Sequence, residues 1–263
     1  MWLPTVFGSD KVVIGVVHLP PLPGSPFGEP WEAILNRAMS DAQALVEGGV
    51  DGVLVENYGD APFTSGRVPP HTVACMTVIA REIRRTFDVP VGINVLRNDP
   101  ISALAVALAA EAAFIRVNVL VGVVAAPEGL LIGDAFHVLR YRQQLRAKVR
   151  ICADAWVKHG VTLSARSFRD AVIDTVERGR ADAVIISGAR TGEPPDLSLV
   201  KEAKELVNVP VLVGSGVTPD NLRMFLEVAD GVIVGTYFKK GGVTTNPVDV
   251  ERVKQLIASA RSG

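Results

Sequence analysis

The sequence predicts a single-domain (β/α)8 barrel, a TIM barrel spanning residues 1–263, from three observations. Eight short, nearly all-apolar runs alternate strictly with eight helix-length segments. The 263 residues match the roughly 250 that eight such units require. Polar side chains gather at the C-terminal ends of the runs, after interiors of Val, Ile and Leu.

In chain order, the first run is Val12–His18, followed by a helical pattern over Trp31–Glu47. Gly52–Glu56 leads to Thr72–Thr86, Val91–Val95 to Asp99–Ala110, and Ala113–Asn118 to Phe136–Lys148. Val149–Ala155 precedes a helix near Arg166–Glu177, and Ala183–Ser187 precedes Leu197–Leu206. Val211–Gly214 and Gly231–Gly235 complete the series, with helices over Pro219–Glu227 and Val248–Ala260. Runs this short and this apolar are those of parallel strands covered on both faces. An open, doubly wound sheet is the competing architecture. A weak internal repeat favours closure: Val50-Asp51-Gly52, Ala181-Asp182-Ala183 and Ala229-Asp230-Gly231 open the second, sixth and eighth strands. Asp88-Val89-Pro90-Val91 and Asn208-Val209-Pro210-Val211 open the third and seventh, so strands 2–3 echo strands 6–7.

Composition narrows the class of function. Charged residues make up 21% and hydrophobic ones 48% of the chain, proportions of a globular protein and not of a disordered one. The 27 basic and 28 acidic residues leave a formal charge of -1, which gives no electrostatic case for nucleic acid or a membrane surface. Cys75 and Cys152 are the only cysteines, too few for a disulfide framework or a cysteine zinc cage. Residues 1–10 lack the pattern of a signal peptide, and no apolar stretch reaches a membrane span. A cytoplasmic protein is expected.

In a barrel, chemistry sits at the C-terminal ends of the strands and in the loops after them. The clearest signal there is for phosphate. Gly214-Ser215-Gly216 is followed by Thr218 as helix N-cap and Pro219 at the first helical position, and Gly235-Thr236 makes a second glycine turn one unit later. Main-chain N–H groups bared by such turns hold phosphate without a lysine. Gly188, after the sixth strand, joins them. Catalytic candidates are His18, Glu56, Asp154 and Lys158, where a carboxylate and a lysine at one site can tune each other. An Asp154–Lys158 ion pair ordering the loop is the plainer alternative. Asn57, Asn94, Arg116, Asn118, Ser187 and Thr191 are candidates for holding substrate. A metal held by His18, Glu56, Asp154 and His159 lacks ligand-pair spacing, so neither metal nor cofactor is expected. His71 and His137 read as surface residues, and Cys152 as a small core residue.

Three loops carry further expectations. The proline-rich segment Pro20–Pro30 reads as a stiff wall over the barrel mouth. Tyr58–Arg67 is long and glycine-bearing, fit for a lid. Val119–Gly133 is unusually apolar, which suggests contact with a second subunit of a homo-oligomer, or closure over ligand.

Several stretches together resemble the BtpA/SgcQ-like family: Gly15-Val16-Val17-His18-Leu19-Pro20-Pro21-Leu22-Pro23-Gly24-Ser25-Pro26, Val55-Glu56-Asn57-Tyr58-Gly59-Asp60-Ala61-Pro62-Phe63 and Asn94-Val95-Leu96-Arg97-Asn98-Asp99. Phe114–Asn118, Ala153-Asp154, Val157-Lys158-His159, Ser187–Gly192 and Val213–Thr218 extend the resemblance over nearly the whole chain. It implies a phosphate-binding TIM barrel, and the family name implies a role in photosystem I accumulation in cyanobacteria. Similar proteins in non-photosynthetic organisms imply that such a role is not the general one. The sequence departs from the family after the fourth strand, where Ala125-Ala126-Pro127-Glu128-Gly129 replaces a polar Thr-Asp-Gln-Gly-like segment, which puts any ligand contact from that loop in doubt. The expected function is an enzyme acting on a small phosphorylated, sugar-like metabolite by isomerase- or lyase-type acid–base chemistry. The alternatives are a non-catalytic assembly or regulatory protein and a metal-dependent hydrolase.

Overall fold

A computed structural model of the chain describes residues 2–156, 160–188 and 190–261. A short helix α1 (Leu3–Phe7) precedes strand β1 (Val12–His18), and α2 (Trp31–Gly48), β2 (Gly52–Glu56), α3 (Pro70–Thr86), β3 (Val91–Asn94), α4 (Pro100–Ala110) and β4 (Phe114–Val117) follow in alternation. Two strands, β5 (Val123–Ala126) and β6 (Gly129–Ile132), then interrupt the pattern before α5 (Ala135–Gln144) and β7 (Arg150–Trp156). After the two-residue β8 (Val161–Thr162) come α6 (Phe168–Glu177), β9 (Ala183–Ile186), α7 (Leu197–Leu206), β10 (Val211–Val213), α8 (Pro219–Val228), β11 (Gly231–Val234) and α9 (Val250–Arg261).

The strands β1-β11-β10-β9-β7-β4-β3-β2 close into a parallel barrel, so the predicted fold is the observed one. Side chains alternate along a strand, and the two faces bury different clusters. Val13, Val17, Val53, Val55, Ile93 and Ile115 face the helices, in the larger core. Ile14, Val16, Leu54, Phe114, Cys152, Ile185, Leu212 and Ile233 fill the barrel interior. Continuing the inward register two residues on reaches His18, Glu56, Arg116, Asp154, Ser187, Gly214 and Gly235. The polar strand ends are therefore the top layer of the barrel's own filling.

The acidic strand entries have a shared cause. Asp51 accepts from the N–H of Val13 at 2.7 Å, Asp182 from Ile151 at 2.9 Å, and Asp230 from Val211 at 2.8 Å. Each carboxylate satisfies the amide of a neighbouring strand at the barrel's lower rim. At the proline entries the carbonyls of Pro90 and Pro210 accept from Val53 and Val184, both at 2.9 Å.

Three features differ from expectation. Helix α1 has no signal in the sequence beyond its apolar residues, and it plugs the barrel floor. Leu3 is 1% exposed, the rings of Trp2, Phe7 and Phe114 follow one another at 6.0 Å, and Trp2 donates to the Asp182 carbonyl. Helix α5 stops at Gln144, short of Lys148, because Arg146 takes a left-handed φ of 50°. The apolar segment after β4 is no plain loop. Its β5–β6 hairpin, joined by β8, makes a three-stranded antiparallel sheet, with Val119, Val124 and Leu131 as a small core of their own. Leu130 and Ile132 point outward, 55% and 62% exposed.

His71 and His137 are exposed as expected, and burial raises the Cys152 thiol well above its ordinary range, consistent with a core role. No helix among the described residues is long and apolar enough to cross a membrane.

Candidate functional site

The barrel mouth holds two adjoining hollows, each of about 230 Å³. Glu56, Tyr58, Arg116 and Thr191 border both. The first lies between the turns after β10 and β11, and the second lies under the tip of the β5–β6 hairpin.

Gly214, Ser215, Gly216, Gly235 and Thr236 all line the first hollow. Among the described residues, the N–H groups of Gly216, Gly235 and Thr236 reach no acceptor. The glycines are needed for close approach: Gly216 has φ 68°, and a Cβ there would overlap Pro194. A Cβ at Gly235 would lie 2.6 Å from His18 Cε1, and one at Gly214 would meet Ser187 Oγ. The β1–β11 ladder stops at Gly15 and Val234. The Val16 carbonyl just beyond it accepts instead from Lys239 Nζ at 3.2 Å, so the turn after β11 is released from the sheet. Thr218 and Asn221 form a capping box at the start of α8.

Gly188 is tied back, its N–H donating to Ser215 Oγ at 2.9 Å, while Ser215 donates to the Glu193 carbonyl. It supports the β10 turn and does not itself line either hollow. Arg252, on α9, gave no sequence signal because one arginine on an amphipathic helix looks like any other. It reaches the same hollow, donating from Nε to the Tyr237 carbonyl at 2.6 Å with its guanidinium 4.3 Å from that ring's centroid.

A buried polar network divides the two hollows. Asp154 accepts from Arg116 Nε at 2.9 Å and Nη2 at 2.8 Å, from Asn118 Nδ2 at 3.2 Å and from Ser187 Oγ at 3.1 Å. Burial works against the Arg116 charge, but the paired Asp154 carboxylate outweighs it and holds the guanidinium firmly protonated. Glu56 accepts from Asn94 Nδ2 at 2.7 Å through Oε2, and its Oε1 lies 3.7 Å from His18 Nε2. The His18 ring packs on Tyr58 at 4.7 Å between centroids. Burial first, and the Glu56 charge second, push the Tyr58 hydroxyl above the usual phenol range.

The expected substrate contacts separate into two kinds. Arg116, Asn118 and Thr191 face the hollows. Asn57 does not: its amide donates to Asp60 at 3.0 Å and accepts from the Leu96 N–H at 2.7 Å, bracing the loops after β2 and β3. Asn94 and Ser187 line neither hollow: Asn94 donates to Glu56, and Ser187 donates to Asp154 and accepts from Arg116 Nη2 at 3.5 Å. Lys158 and His159 lie outside the described residues. Among the described residues, no group of three or more His, Cys, Asp or Glu side chains is placed to hold a metal ion.

The Pro20–Pro30 segment and the Tyr58 loop wall a separate hollow outside His18, lined by Pro20, Pro21, Phe27 and Tyr58. The hairpin tip brings Pro127 and Glu128 into the second hollow beside Arg97. Neither Arg97 nor Glu128 was singled out from sequence, because the contact depends on the hairpin folding back over the mouth.

Known proteins match this chain at the level of family, of sequence and of fold. A family model described as the BtpA family matches residues 9–262. The chain is 46% identical over 259 residues to the photosystem I biogenesis protein BtpA of Synechocystis, covering 98% of this chain and 90% of that one. It is also 46% identical over 259 residues to an uncharacterized protein of Pyrococcus horikoshii, covering 97% and 99%. Among solved structures, N-(5'-phosphoribosyl)anthranilate isomerase from Pyrococcus furiosus superposes with a TM-score of 0.59 at 16% identity, covering 96% of this chain and all of that one. At that identity the likeness is one of fold.

Proposed function

This chain belongs to the BtpA family, and from that premise we propose that it is an enzyme acting on a small phosphorylated metabolite, sugar phosphate-like, by isomerase- or lyase-type acid–base chemistry. The observation that carries the reading is the pair of glycine turns, whose unengaged N–H groups at Gly216, Gly235 and Thr236 line one hollow together with Arg252. Main-chain donors beside a guanidinium suit an anion, and in barrels the loops after the last two strands are the usual phosphate seat. The isomerase of like fold is named for a phosphoribosyl compound, which supports the same reading.

Within it, Glu56 is the proton-transfer group. Its carboxylate borders both hollows, is oriented by Asn94 and has His18 beside it. Asp154 already accepts four hydrogen bonds, so its role is to hold Arg116 and Asn118 towards substrate. Lys158 keeps its place as a candidate on sequence grounds alone.

The test is titration calorimetry with inorganic phosphate and with ribose 5-phosphate on the protein and on Gly235→Val. A valine there drives its side chain against His18 and shields the N–H groups of the turn. Binding of both ligands should weaken by roughly a hundredfold, about 2.7 kcal/mol. Unchanged affinity would overturn the phosphate seat.

A second reading, a non-catalytic assembly role, has one observation in its favour. The hairpin sheet presents Leu130, Ile132 and Val161 to solvent, and the Synechocystis relative is named for photosystem I biogenesis. The same face is where a homo-oligomer would form.

A further inference from the structure

We propose that the second hollow is a hydroxyl-recognition subsite, with Glu128 of the hairpin tip and Asn118 accepting from vicinal hydroxyls of a sugar whose phosphate sits in the first. The inference rests on the phosphate reading for the ligand's other end. It stands on its own observation for the hollow itself: two acceptor atoms there, Asn118 Oδ1 and Glu128 Oε2, are buried and have no hydrogen-bond partner among the described residues. Asn118 is 4% exposed, and its Nδ2 is fixed on Asp154, so the amide cannot turn without losing that bond. A buried acceptor without a hydrogen bond costs about 1–3 kcal/mol, offset at Glu128 only by the 3.7 Å contact with Arg97, and a ligand that brings donors recovers that cost.

The charges around the hollow select the donor. Arg97, 8% exposed, has its Nε 3.7 Å from Glu128 Oε2, and Arg116 also lines the hollow. Two guanidinium groups disfavour an ammonium, which also cannot accept from them. A carboxylate or second phosphate would face Glu56 and Glu128 and leave both orphaned acceptors unpaired. A hydroxyl both donates and accepts. Of these groups it is the one that donates a hydrogen bond to Asn118 or Glu128 while accepting one from Arg97 or Arg116. The side chains of Phe63 and Leu96 and the ring of Tyr58 supply apolar wall for the C–H face of such a molecule.

Calorimetry on the full chain tests this with inorganic phosphate, ribose 5-phosphate, glucose 6-phosphate and free ribose, on the protein and on Glu128→Gln and Glu128→Ala. At least one sugar phosphate should bind roughly tenfold or more tighter than inorganic phosphate, the gain from hydrogen bonds to a charged group. Both variants should erase most of that advantage and leave inorganic phosphate affinity unchanged, which also reports an intact fold. If neither sugar phosphate outbinds inorganic phosphate, or if both variants keep the advantage, the hydroxyl subsite is wrong and the phosphate seat stands. If inorganic phosphate and the sugar phosphates fail to bind while free ribose binds and Glu128→Gln abolishes it, the phosphate seat falls and the hydroxyl subsite stands. Absence of binding by every probe overturns both.

Discussion

The two ends of the barrel are built from the same strands and do opposite things. At the floor, Leu3, Phe7 and Phe114 close the interior with apolar surface, and Gly92 lacks a Cβ because one there would overlap the Phe114 ring. At the mouth, the continuation of the same inward register buries Glu56, Arg116, Asn118 and Asp154, all under 8% exposed. The floor gains stability from burial. The mouth gives some up, because desolvated charges at best break even. The contrast supports the ligand site proposed at the mouth, where two buried acceptors, Asn118 Oδ1 and Glu128 Oε2, lack hydrogen bonds among the described residues.

The sharpest way to break this contrast is Arg116→Ala. It strands the Asp154 carboxylate, 4% exposed, with only Asn118 and Ser187 as donors. Chemical denaturation should show a loss of about 3–5 kcal/mol, together with loss of sugar phosphate binding. A loss below about 1 kcal/mol would mean that the pair is solvated and the mouth less dry than its geometry implies.

Leu3→Ala probes the other end. Removing a fully buried side chain from the floor should cost about 2–4 kcal/mol, while the affinity for inorganic phosphate, measured under folding conditions, stays the same. A coupled loss of affinity would show that the two ends are not energetically separate.

Lys239 gives the smallest effect and sharpens the distinction among buried charges. Burial pulls its pKa down to about 8, with Asp41 at 3.3 Å opposing the shift. The unfolded chain, near the ordinary value of 10.5, then binds more protons than the native one across this window. Stability from this group is therefore fully present above about 10.5 and lost as pH falls through about 8. Relative to Lys239→Met, the protein should gain roughly 2 kcal/mol between pH 8 and pH 10.5. A flat difference would show that Asp41 keeps Lys239 charged throughout, as Asp154 keeps Arg116.

Much of this was legible in the chain. Strand–helix alternation follows from β-branched runs and turn residues, and those are local properties. The polar tips His18, Glu56, Arg116 and Asp154 stand two residues beyond apolar inward positions, so strand period alone places them on the rim once closure is assumed. Asn57 looked like its neighbour Glu56, yet its position one residue later turns it to the outside of the barrel, where it braces loops. The hairpin after β4 has no local signature because its apolar residues read equally as loop, strand or docking face without the partner strand β8, whose Val161 and Thr162 pair with Ala125 and Val124.

Sequence by itself determined the repeating unit, the number of units and the two glycine turns, because each depends on contacts between near neighbours along the chain. Only the tertiary structure decided that Arg252 joins those turns, that Arg97 and Glu128 meet in the hollow that Asn118 also lines, and that Asp154 is engaged by Arg116. Those pairings join residues brought together by barrel closure and hairpin folding, and no local pattern records which distant side chains will share a desolvated space.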